Sequence, residues 1–163
     1  MSLINLLMAR SQIKAVGLVE RPAQDGQNDG LQIWRIDIPG KRYVYMSSVD
    51  SDCVTVVNAS RFYYYWLRQS LGQDRGDPAA CVPKSKMKDD YKYHDAEEGF
   101  SHGLANPVPV AAIGCYLRNG KPCIGFTNGV TRTFWLISNG CKAFPIDAGD
   151  VESAQLLNRF CGV

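Results

Sequence analysis

The sequence predicts a mixed α/β (α+β) domain: a small mixed sheet with three or four helices. Three observations carry this. Apolar and polar side chains alternate at period 2 in several short runs, beginning with Leu31–Ile38, LQIWRIDI. Between them lie helical segments with an apolar face and a capping residue in front, at Asn58 and at Asp150. Near the C-terminus a strand, a glycine turn and a helix follow one another through Phe126–Ile146.

The elements are justified in chain order. Residues 1–30 read as an N-terminal appendage, and residues 31–163 as a single domain. Leu3–Met8 is a short apolar run without a basic leader or a small-residue cleavage pattern, so neither a signal peptide nor a membrane helix is expected. The stretch RPAQDGQNDG, residues 21–30, is a polar, turn-rich loop. Leu31–Ile38 is a half-buried strand; Pro39-Gly40-Lys41 turns the chain, and Arg42–Met46 is its hairpin partner. Cys53–Val57 is β-branched and extends the sheet. Asn58 caps a helix in which Phe62, Tyr65 and Trp66 share one face, with Gly72 as its stop. The aromatic cluster Tyr63–Trp66 reads first as core packing and second as a base-stacking surface.

Residues 73–90 read as an exposed linker. Lys84, Lys86 and Lys88 there could touch phosphates, with Asp89 and Asp90 partly cancelling them. Tyr91–Glu98 is a short helix ended by Gly99, and Val108–Cys115 is a strand. The Asn119-Gly120 turn returns the chain as Pro122–Thr127. Thr131–Asn139 is a helix with Gly140 just past its end, Lys142–Ile146 is a strand, and the helix capped by Asp150 shows Leu156, Leu157 and Phe160 on one face.

Composition narrows the function classes. A net charge of +2 is too small to announce a nucleic-acid binder by itself. The six cysteines include no C-x-x-C pair and there are two histidines, so the ligand spacing of a zinc finger or ribbon is absent. The cysteines read as reduced thiols of a cytoplasmic protein. No Walker A pattern is present, which excludes P-loop chemistry.

The chemistry concentrates at Asn128-Gly129-Val130-Thr131-Arg132-Thr133. The first turn of a helix leaves backbone N–H groups unpaired at its positive end, and these attract phosphate. Arg132 adds a planar fork, while Thr131 and Thr133 add hydroxyls. The plain alternative is a capped turn with a surface arginine. A second group precedes it: Lys92, His94, Asp95, Glu97, Glu98, Ser101 and His102. His94 and Glu98 are neighbours at i, i+4 on a helix. Glu97 or Glu98 could hold Mg²⁺ or orient a water, His94 or His102 could move a proton, and Lys92 could meet a phosphate. Each has an ordinary alternative as a solvated helix face.

The run G-x-T-R, an apolar helix, Asn-Gly and then F-P-I resembles the core of ParB-type N-terminal domains and sulfiredoxins. Asn106-Pro107-Val108-Pro109-Val110 resembles the strand ahead of it. The sulfiredoxin turn carries Cys-His-Arg; here it is Val130-Thr131-Arg132, so the nucleophilic thiol is missing. More closely, YKYHDAEEGFSHG, NPVPVA, GFTNGVTRTFWLISNG and AFP resemble plasmid fertility-inhibition factors. That resemblance implies a ParB/sulfiredoxin fold and suppression of conjugative transfer of another mobile element. It also implies ATPase and DNase activity, with ATP as substrate; Mg²⁺, held by Glu97 or Glu98, is the expected cofactor. Partners would be DNA or a transferred DNA–protein complex, with a coupling ATPase or relaxase as a further candidate. The competing expectations are a non-catalytic inhibitor of that apparatus, and a simple nucleic-acid binder using Lys84, Lys86, Lys88, Tyr91 and Tyr93.

Overall fold

A computed structural model of the chain describes residues 15–19, 30–40, 43–71 and 77–163. Strands β1 (Val16–Leu18), β2 (Leu31–Asp37) and β3 (Tyr43–Val49) form an antiparallel meander. The period-2 pattern holds in its register: Trp34 opposes Met46 and Ile36 opposes Val44 on the inner face. Of residues 1–30, Val16–Leu18 are therefore part of a sheet, with Ala15 and Val16 buried; residues 1–14 and 20–29 lie outside the described residues. So do Lys41 and Arg42 of the first hairpin and the Gly72 helix stop.

The remaining strands are β4 (Val54–Asn58), β5 (Val108–Pro109), β6 (Ala111–Arg118), β7 (Lys121–Asn128) and β8 (Ala143–Asp147). They complete two four-stranded sheets, ordered β1-β2-β3-β5 and β4-β8-β6-β7. Both mix parallel and antiparallel pairs. With four α-helices among the described residues, this is the expected α+β class, spread over two small sheets. Apolar side chains of both, among them Ile36, Met46, Ile113, Ile124, Phe144 and Ile146, share one core.

The single strand expected over Val108–Cys115 is two strands in different sheets. β5 runs parallel to β3, Val110 N–H donates to the Ser47 carbonyl at 2.9 Å, and β6 then joins β8 and β7. Pro107 and Pro109 explain the break: neither has an N–H, so the ladder with β3 cannot be prolonged.

Helix α1 (Ala59–Ser70) starts where its cap places it, Asn58 Oδ1 accepting from Arg61 N–H at 3.0 Å. Phe62 and Trp66 are fully buried; Phe62 meets Phe144 edge-on and Trp66 stacks on Phe134 at 5.1 Å between centroids. The aromatic face is core. The linker reading of residues 73–90 is corrected over its described part. Lys84–Asp89 is a 3-10 turn whose Met87 is fully buried, Trp66 Nε1–H donates to the Ala79 carbonyl at 3.0 Å, and the lysines stay exposed.

Helix α2 (Tyr93–Ser101) runs through Gly99 rather than ending at it. A Cβ there would stand 3.5 Å from Val108 Cγ2, an ordinary contact, and Gly99 is not in the left-handed region, so nothing at this position forces the helix to stop. Helix α3 (Val130–Ser138) ends as predicted: Gly140 has φ 81°, its N–H reaches the Ile137 carbonyl, and Cys141 N–H reaches that of Leu136. Helix α4 (Val151–Cys161) is capped by Asp150, which accepts from Ser153 N–H at 2.8 Å. Among the described residues no helix is long and apolar enough to cross a membrane.

Candidate functional site

The site is built on the β7–α3 junction. Gly129 has φ 98°, a region that costs a residue with a side chain. A Cβ there would lie 2.6 Å from the Ala111 Cβ, so the turn rests directly on the start of β6. No side chain caps α3. The N–H groups of Val130, Thr131 and Arg132 therefore have no partner within the helix. Thr133 N–H and Thr133 Oγ1 both return to the Gly129 carbonyl, at 3.1 and 2.9 Å.

The first-turn side chains are spoken for in different ways. Thr131 Oγ1 donates to Asp90 Oδ1 at 3.0 Å. The same oxygen accepts the Lys92 backbone N–H at 2.9 Å, so Asp90 ties the segment before α2 to the head of α3. Arg132 Nη1 donates to the Pro109 carbonyl at 2.6 Å, and Nη2 stands 3.4 Å from Asn128 Oδ1. Burial lowers the Arg132 pKa from its ordinary value, yet a guanidinium stays cationic in proteins. Its fork thus braces the crossing between the two sheets.

Between these segments opens a cleft of about 400 Å³. Asp90, Tyr91 and Lys92 form one wall, Asn128–Arg132 the other, with Phe126 and Ala79 among the apolar lining. Of the predicted residues, the structure brings Lys92, Asn128, Gly129, Thr131 and Arg132 together here. Thr133, only 1% exposed, is sealed behind the turn. His94, Glu97, Glu98 and His102 are exposed, and none of them lines the cleft. Helix α2 is oriented otherwise: Tyr93 Oη bonds Ser138 Oγ at 2.7 Å and Asn139 Nδ2 at 3.0 Å, at the far end of α3, while Phe100 stacks on Trp135. Tyr93 is therefore engaged in packing, whereas Tyr91 is not. Among the described residues no three His, Cys, Asp or Glu side chains converge as a metal site.

Asp90 is the site residue that sequence reasoning passed over, taking it for a counter-charge to the lysines. Its bond to the N–H two residues on is an Asx turn, a local habit of aspartate before a helix, and that was the signal available.

Residues 54–162 match the family described as Plasmid Fertility inhibition factor. The chain is 33% identical over 134 residues to Protein osa of Shigella flexneri, an alignment covering 80% of this chain and 69% of that one. Among solved structures, the crystal structure of an oncogenic suppression activity protein, described as a plasmid fertility inhibition factor and studied as a gold(I) cyanide derivative, is similar with a TM-score of 0.73. The identity is 28%, over 97% of this chain and 84% of that one.

Proposed function

Because the chain belongs to the plasmid fertility inhibition factor family, we propose that it suppresses conjugative transfer of a rival mobile element by engaging phosphate at the head of α3. The observation that supports this is the uncapped first turn of α3 opening into a cleft that also presents Lys92. Three backbone N–H groups and an ammonium can neutralise a phosphoryl group there. The reaction we favour is hydrolysis, of ATP and of DNA phosphodiesters. Asp90 is the carboxylate on the cleft wall, and both its hydrogen bonds use Oδ1, leaving Oδ2 uncommitted among the described residues. That oxygen suits a positioned water, or Mg²⁺, which takes one or two carboxylates together with phosphate. When bound, the ion would supply charge neutralisation. We further read the β6–β7–α3–β8 unit as a ParB/sulfiredoxin-type core, from its strand, glycine turn, helix and strand order.

A second reading is favoured by a specific contact. The guanidinium of Arg132 is held on the Pro109 carbonyl, which gives the turn a purely structural task. The protein would then act without catalysis, binding the coupling ATPase, the relaxase or the DNA–protein complex in transfer. One paired experiment separates the two. Purified chain is assayed for Mg²⁺-dependent phosphate release and DNA nicking, and donor cells carrying the same variants are assayed for conjugation. Asp90→Asn and Lys92→Ala each lower hydrolysis by about a hundredfold and restore transfer if catalysis is the means. Variants that lose hydrolysis yet still block transfer establish the non-catalytic reading.

A further inference from the structure

Tyr91 is a large aromatic side chain left 86% exposed on the wall of the cleft. Its ring has no hydrogen-bonded or stacked partner among the described residues apart from the Lys92 ammonium, 5.3 Å from the ring centroid. The backbone beneath it is nonetheless fixed on both sides. Before it, Asp90 N–H bonds the carbonyl of the fully buried Met87, and Asp90 holds Thr131. After it, Tyr93 N–H returns to the Asp90 carbonyl, and the Tyr93 hydroxyl is bonded at the far end of α3. On a fixed backbone a tyrosine has only two side-chain torsions to lose when a ligand covers it, which is why such rings serve as anchors.

The neighbours suit a flat heteroaromatic group joined to phosphate. Phe126 and Ala79 continue the apolar lining, and the volume of about 400 Å³ is within the range of small-ligand pockets. The Lys92 ammonium, 5.3 Å from the ring centroid, puts a cation on the same wall as the exposed ring.

We infer that Tyr91 is the base-stacking, specificity-determining residue of the cleft, which makes the preferred ligand a nucleotide rather than a bare polyphosphate. This rests on the phosphate-binding reading of the α3 turn. Calorimetric titration of the full chain with ATP and with inorganic tripolyphosphate tests it. The wild type takes ATP more tightly. Tyr91→Ala weakens ATP about tenfold or more, the scale of one lost base stack, and leaves tripolyphosphate unchanged; Tyr91→Phe keeps the preference. If Tyr91→Ala leaves ATP affinity as it was, or weakens both ligands alike, the stacking role is wrong while the phosphate site stands. If the wild type takes up neither ligand, the phosphate site fails and the stacking role with it.

Discussion

Gly129 shows how much of the site depends on a missing side chain. Its φ of 98° and the 2.6 Å approach that a Cβ would make to Ala111 oppose substitution independently. The strained backbone costs about 1–2 kcal/mol and the overpacking a further ~1–3 kcal/mol. Gly129→Ala should therefore lower the unfolding free energy by about 3 kcal/mol, read from the denaturant midpoint at unchanged slope. Gly120→Ala is the control: its φ of 72° is also positive, but nothing lies within 4 Å, so it should cost the backbone term alone. Equal losses would mean that the contact with Ala111 yields freely. At this scale the sequence was legible where chemistry is local. A glycine before Thr-x-Thr at a strand end announces a left-handed turn. The destination of Arg132 was not legible, because its partner carbonyl at Pro109 lies 23 positions away. Thr133 looked like a donor to phosphate until burial showed its hydroxyl turned onto its own helix.

Helices were read to within a residue or two wherever a cap marks them, since Asn58, Gly140 and Asp150 act on their own backbone. The sheets were harder. Alternation identifies a strand but not its neighbours, and the pairing of β5 with β3 joins residues from opposite halves of the domain. Strand β7 lies at the edge of its sheet, and an uncovered edge invites pairing with another chain. Gln69 on α1 covers it: Nε2 donates to the Ile124 carbonyl at 2.8 Å, and Oε1 accepts the Ile124 N–H. The side-chain amide thus copies one residue of a neighbouring strand. Gln69→Ala should lower stability by about 1–3 kcal/mol for the two hydrogen bonds lost, and heating should produce light scattering earlier than in the wild type. A variant that melts and scatters like the wild type would show that water satisfies the edge equally well.

At the scale of the whole molecule, the cysteines report on the integrity of the core. Burial pushes the thiol of Cys115 up to about 11, and those of Cys81, Cys141 and Cys161 up to about 12. A raised thiol pKa means less thiolate at a given pH, and the thiolate is what reacts. Cys123 is buried as well, and Cys53 is half-buried. At pH 8 a disulfide reagent should label Cys53 first, the other five reacting only as the chain unfolds; Cys53→Ser should abolish the fast phase. Several fast thiols would show that the core opens locally. The sequence reading of the cysteines as reduced thiols accords with six free cysteines, whereas the sharing of one core by two sheets had no local signature.

The passage of residues 108–118 from one sheet to the other bears on the order in which the molecule can assemble. The first sheet cannot be completed until Val108–Pro109 has been made, and the second waits for Ala143–Asp147. The cleft needs residues 90–92 and 126–132 braced against residue 109. During synthesis from the N-terminus, the cleft can therefore take shape only after most of the chain has emerged. A nascent chain ending before residue 143 would therefore leave its second sheet without β8, the strand between β4 and β6.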